Sequence, residues 1–240
     1  KIDSSNVDIS GCSLRNIAGT GIIAQGKNIN INGCHISKTG LSAAETNGNN
    51  ISFDNNLIHS NSMAEKTIPA IIINGNKNSV THNEIYNTPS CAVYYSGNKN
   101  SIEYNYIHNA LLEVDSTAAI SGNPDSQDEE NLVRYNCIST IGSGKNSPTG
   151  IIPSPGTTVR GNMLINIKGS AVCVLNPKGV EISNNISVNC AVPVKAENNS
   201  DAKIESNIIL HHSGNINNFP ENNLVFKLNE TDIFLDAENG

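Results

Sequence analysis

Three carboxylates, Glu113, Asp115 and Asp125, flank the short apolar run Ala118-Ala119-Ile120. Two acids facing each other across a groove can share glycoside cleavage. One protonates the leaving oxygen, and the other activates water or attacks the sugar. Glu113 and Asp115 lie before the run and Asp125 after it. Asp115 and Asp125 are the expected pair, with Glu113 in reserve. Asp128-Glu129-Glu130 reads as a solvated loop without chemistry. No metal ligand set is assigned. No CxxC pair marks a zinc site, and no EF-hand spacing occurs, so calcium on the clustered carboxylates is the one ion left open.

His59, Tyr86 and His108 take the fourth place of a recurring phrase: Asn56-Leu57-Ile58-His59, Asn83-Glu84-Ile85-Tyr86, Asn105-Tyr106-Ile107-His108. Strand alternation turns Asn and Ile inward and the second and fourth residues outward. Three rings therefore stack on the outside of consecutive coils. Glu84 and Tyr106 stand beside them, and Tyr94 is expected nearby from the next strand. Aromatic faces next to polar groups suit sugar rings. The same arrangement also serves as a ladder that only stabilises the stack. Lys66, Arg134 and Lys145 are the basic side chains expected near the groove. His59, Tyr86, His108, Tyr94, Arg134 and Lys66 are thus the candidate binding residues.

The elements that must position these residues follow from the repeat. Cys12 and Cys34 hold the Asn slot of the first coils, and Asn136, Asn162, Asn185 and Asn207 continue it. The steps are 22, 22, 27, 22, 31, 26, 23 and 22 residues. A period in this range signals stacked coils. A second column, Ile22, Ala44, Ile71, Val93, Ile120, Ile151, Val172 and Val194, follows the first, each member preceded by a small residue or Pro. The segments are short and rich in Ile and Val, and the gaps are too short for helices. The fold class is therefore all-β: a parallel β-helix solenoid of about nine coils of roughly 22 residues, taken as right-handed by precedent. Asn fills 40 of the 240 positions. It tolerates the left-handed corners such coils need, and it can hydrogen-bond to its equivalent one coil on.

Residues 1–212 form the β-helix in this reading, and 213–240 break the period as an irregular segment or cap. The start at Lys1 and the stop at Gly240 without a terminator predict a piece of a longer chain. Three coils carry five extra residues, near 62–66, 111–115 and 142–147, all at one corner. Insertions of this kind often mark a binding face. The net charge of −7 argues against a nucleic-acid-binding face, and no apolar stretch is long enough for a membrane span. Cys12 and Cys34, in one slot of adjacent coils, are either stacked free thiols or a disulfide.

The stretch from Val7 to Asn136 resembles bacterial β-helix proteins of the pectate-lyase-like superfamily, in particular glycoside hydrolase family 141. The matching segments are 68–76, 80–87, 101–109 and 132–136. After the outward His that family reads Leu-Glu-Thr-x-Asp-Ala-Gly-Ala-Ile-Tyr-x-Gly-Arg-Asp-Trp. Here Glu113 and Asp125 match. The first family Asp falls on Ser116, with Asp115 one place early. The family Arg and Trp fall on Pro124 and Ser126. The resemblance implies a carbohydrate ligand and a secreted or cell-surface protein. Glycoside hydrolysis is the leading expectation. A lyase, which needs a base and a cation beside a uronate carboxylate, is the second. A non-catalytic binding or structural module is the third.

Overall fold

The computed structural model describes residues 1–114, 116–143, 147–196, 201–211 and 222–227. All its regular elements are strands, and successive coils pair in parallel. The coils have three faces. Face A holds Ile71–Asn74, Val93–Ser96, Ala118–Gly122, Thr149–Ile152, Ser170–Val174 and Val192–Ala196. Face B holds Ser79–Thr81, Ser101–Glu103, Asn131–Arg134, Thr157–Arg160, Glu181–Ser183 and Lys203–Glu205. Face C is a ten-stranded sheet running from Ser13–Ile17 to Leu224–Lys227. Its tenth strand, Leu224–Lys227, pairs with Ile208–His211 inside the stretch read as irregular. Ten rungs span roughly 43 Å.

The anticipated column is the register observed on face A: Ile22, Ala44, Ile71, Val93 and Ile120 are successive partners, followed by Ile151, Val172 and Val194. In the first coils faces A and B are one bent strand of 11 residues, Ile22–Asn32 and then Ala44–Asp54. The bend passes through Gly26 and Gly48. A Cβ on Gly48 would stand 2.1 Å from the Gly26 carbonyl oxygen, so the stack closes there only without a side chain.

Inward residues of all three faces form one core. Ile36, Ile58, Ile85, Ile107 and Ile138 line face C, and Val80, Ile102, Val133, Val159 and Ile182 line face B, all buried. The polar slot inside this core satisfies itself. The Asn83 backbone N–H and Nδ2 both donate to Asn105 Oδ1 at 3.0 Å, and Asn105 repeats the pair onto Asn136. The other amide hydrogen goes to a carbonyl of the neighbouring coil, as from Asn105 Nδ2 to Val80 O at 2.8 Å. The ladder runs from Asn56 through Asn162, Asn185 and Asn207 to Asn223. The left-handed corner lies one residue earlier than the ladder Asn, at Asn55, His82, Tyr104, Tyr135 and Asn184. His82, Tyr104 and Tyr135 offset that strain by stacking on one another, with centroids 5.2 and 5.0 Å apart. Among the described residues no disulfide forms, and Cys12 and Cys34 stand as separate thiols.

Candidate functional site

The three insertions fall in the connections from face C to face A, between His59 and Ile71, between His108 and Ala118, and between Ser139 and Thr149. The second folds back on its neighbour: Glu113 and Val114 N–H donate to Pro89 O at 2.9 and 2.8 Å. Lys66 Nζ of the first insertion reaches Glu113 Oε1 at 3.0 Å. Glu113 is therefore an ion-paired carboxylate on the rim, half exposed and held by the other insertion. Asp115 and Lys145 lie outside the described residues. Asp125 sits beyond the opposite end of the strand Ala118–Gly122, exposed, with its N–H donating to Asn123 Oδ1 at 3.1 Å. That loop is anchored toward later coils by Asn176 Nδ2 on Pro124 O at 3.1 Å. Acid-bearing loops thus stand at both ends of one five-residue strand. Its terminal Cα atoms are roughly 13 Å apart at ordinary strand rise.

Between the loops lies the outer strip of face A. Tyr94 and Ser121 are cross-strand partners there, next to Ile72, although every residue of the strand Ala118–Gly122 is buried and Ser121 is only 8% exposed. Tyr94 is half-buried, and its phenol is raised above the usual tyrosine range by burial first and then by the Asp128 carboxylate and the Cys91 thiol. The run Asp128-Glu129-Glu130 is not uniformly solvated. Glu129 and Glu130 are exposed, and Glu130 pairs with Lys99 at 3.2 Å. Asp128 is only 7% exposed, and its Oδ2 has no hydrogen-bond partner among the described residues. The cause is register. Glu129 bonds to the Asn98–Lys99 corner, which brings Asp128 level with Gly97, in the column of close-packed glycines. Nothing in the acidic run itself signals this burial.

The rings of face C stack as expected on consecutive coils: His59 on Tyr86 at 4.7 Å, and Tyr86 on His108 at 4.9 Å. Interplanar angles of 16° and 5° mean that neighbours occupy the ring faces. What remains for a ligand is ring edges. The column extends upstream as a directed chain. Arg15 Nη2, which can only donate, meets His35 Nδ1 at 2.6 Å. His35 must then carry its proton on Nε2 and donate to His59 Nε2 at 2.8 Å. His59 in turn holds its proton on Nδ1, 3.1 Å from Ser60 Oγ. Both imidazoles are thereby fixed neutral. Burial first and then the Arg15 charge hold His35 below the usual histidine value. Burial, His35, Arg15 and Lys38 do the same for His59 against an opposing pull from Glu84. His108 Nε2 lies 3.2 Å from Glu84 Oε1. Beyond Ser139 the two outward columns of face C turn apolar, through Met163, Ile165, Ile186 and Val188.

The sequence grouped Tyr94 and Arg134 with these rings, and the register separates them. Tyr94 is on face A. Arg134 is on face B, where its Nε donates to Glu103 Oε2 at 2.8 Å and its guanidinium lies over the Tyr135 ring. Spacing along the chain fixes which coil a residue belongs to. The face it occupies depends on how the corners turn. Among the described residues no group of three or more His, Cys, Asp or Glu side chains is placed to hold a metal ion. No helix there is long and apolar enough to cross a membrane.

The family described as right-handed β-helix region matches residues 2–151, more than half of the sequence. The chain belongs to the right-handed β-helix family. No curated protein matches it. Among solved structures it is similar to an alginate lyase from a Paenibacillus species, with 16% identity and a TM-score of 0.67 over 91% of this chain and 78% of that one. It is also similar to the tailspike of the E. coli bacteriophage HK620 in complex with a pentasaccharide, with 12% identity and a TM-score of 0.64 over 93% of this chain and 43% of the tailspike. A third likeness is to XylC in complex with xylose, with 15% identity and a TM-score of 0.60 over 83% and 38% of the two chains. At these identities the likeness is one of fold, and this right-handed β-helix spans less than half of the tailspike and of XylC.

Proposed function

We propose that the protein acts on a polysaccharide lying across face A, as a glycoside hydrolase with Asp115 and Asp125, which precede and follow the strand Ala118–Gly122 in the chain, as its paired carboxylates and Glu113 in reserve. The observation that carries this reading is the placement of acid-bearing loops at both ends of the strand Ala118–Gly122, with Tyr94 and Ser121 on the strip between them. Lys66, bound to Glu113, holds the rim. The Tyr86 hydroxyl offers a hydrogen bond on the far side of the inserted corner, between His59 and His108, whose ring nitrogens already face His35, Ser60, Glu84 and Asn109, and Arg134 lies farther round the coil. The sugars bound by structures of similar fold support a carbohydrate ligand, and such a ligand fits a secreted or cell-surface setting.

The test is incubation with a panel of plant, algal and host polysaccharides, read for new reducing ends and for absorbance of unsaturated uronates. Reducing ends without that absorbance, abolished in Asp125→Ala with the fold intact, are expected. Absorbance alongside them selects lyase chemistry. Full activity in both Asp115→Ala and Asp125→Ala overturns the assignment of the acids.

A further inference from the structure

At the corner between faces A and B, in the first coils, an open depression of about 580 Å³ is lined by Lys27, Asn28, Asn49, Asn50, Asn76 and Lys77. It lies several coils before the acids assigned above. We propose that this depression is a separate binding site for an acidic glycan, one that carries carboxylate or sulfate groups.

The stacking of the coils fixes which atoms face outward. Asn49 Oδ1 accepts the Asn76 backbone N–H at 2.9 Å, and Asn76 Oδ1 accepts the Asn98 backbone N–H at 2.7 Å. An amide whose oxygen must face a backbone N–H in the next coil turns its NH2 group the other way. Asn28 and Asn50 are aligned by their own ladder: Asn50 Nδ2 donates to Asn28 Oδ1 at 2.7 Å and Asn28 Nδ2 to Asn6 Oδ1 at 2.9 Å. Of the four amides only Asn50 keeps an uncommitted oxygen. The other groups on offer are two NH2 groups and two ammonium groups. Neither Lys27 nor Lys77 has an acidic partner among the described residues, although the sequence carries a net charge of −7. Lys99 holds the next coil's place after Lys77 and is neutralised by Glu130 at 3.2 Å, which ends the cationic strip.

Donor-rich, positively charged and flanked by rigid amides, the depression matches an anion with several acceptor oxygens and repels a cation. The two lysines are two coils apart along the axis, roughly 10 Å. That separation favours two charges on one extended oligosaccharide over a single small anion. The carboxylate of a uronan and the sulfate of a sulfated glycan share this chemistry.

The site rests on its own residues and does not require turnover at face A. Binding of polygalacturonate, dextran sulfate and unmodified dextran is compared by affinity electrophoresis at low and raised salt. The variants are Lys27→Gln and Lys77→Asn, singly and together. Asn already fills the slot of Lys77 at Asn28 and Asn50, both left-handed, so the second change suits the backbone. Retardation by one of the charged polymers and not by dextran is expected. It weakens with salt and falls on the order of tenfold in the double variant. Preference for polygalacturonate assigns a carboxylate ligand, and preference for dextran sulfate a sulfate ligand. Equal retardation of wild type and double variant, or no retardation by either charged polymer, overturns the site. Activity of Asp125→Ala is read separately, so failure here leaves the hydrolase reading standing, and the converse also holds.

Discussion

Replacing Asn105 by Ala should remove a large share of the protein's stability. Asn105 is 1% exposed and takes part in four side-chain hydrogen bonds. Nδ2 donates to Val80 O at 2.8 Å and to Asn136 Oδ1 at 2.9 Å, and Oδ1 accepts from Asn83 N and Asn83 Nδ2, both at 3.0 Å. Asn83 Nδ2 keeps Phe53 O, and Asn105 N keeps Asn136 Oδ1. The Asn83 backbone N–H loses its acceptor inside the core. A buried unpaired donor costs about 1–3 kcal/mol, and the other lost bonds add about 1 kcal/mol each. The total of about 4–6 kcal/mol is a large fraction of the 5–15 kcal/mol that typically holds a domain together. Urea unfolding followed by circular dichroism should show the midpoint falling by roughly 2 M at an ordinary slope. Asn105→Asp should do no better, since its second oxygen would face the Val80 carbonyl and Asn136 Oδ1. The exposed Asn47→Ala should stay within about 0.5 kcal/mol. If Asn105→Ala shifted the midpoint no more than Asn47→Ala, the ladder would not be what satisfies the polar slot.

Other consequences are equally concrete. His35 and His59 have folded values below the unfolded 6.5, so the unfolded chain takes up protons first as pH falls. Their contribution to stability is present above that value and is lost on acidification below it. Urea midpoints between pH 5 and 8 should show this slope, and His59→Gln should flatten it. Burial pushes the Cys91 thiol up to about 12 and that of Cys190 to about 11. A thiol reagent on the native protein should therefore modify exposed Cys12 and spare both, as peptide mapping would reveal. Gly48→Ala would place a methyl 2.1 Å from the Gly26 carbonyl oxygen. Urea unfolding should register a loss of roughly 3 kcal/mol or more, and a near-wild-type midpoint would contradict the corner geometry.

The sequence carried the coil register well, because a stacked fold repeats its physical demands. Each coil needs a buried Asn that both gives and receives, and each needs an inward Ile or Val beside a small residue. The spacing of Asn56, Asn83, Asn105 and Asn136 and the column from Ile22 to Val194 therefore gave the strand pairing residue by residue. The insertions were legible as departures from that spacing, and their shared corner followed. The faces were harder to read. Arg134 and Tyr94 sit on different sides of the coil from His59, because left-handed corner residues such as Tyr104 and Tyr135 redirect the chain without altering its count. The burial of Asp128 was hidden as well, since it depends on Glu129 pairing with the Asn98–Lys99 corner, which nothing in the acidic run shows. Ring stacking at His59, Tyr86 and His108 was visible as a column. That stacking would consume the ring faces follows only from their near-parallel planes.

The most direct test of the central claim, that face A is where polysaccharide is engaged, is hydrogen exchange with and without the polysaccharide that yields reducing ends. Slowed exchange is expected at 111–114, 123–130 and Val93–Ser96, the loops and strand around Tyr94 and Ser121. Protection confined to the strands of face C, with these segments unchanged, would contradict it.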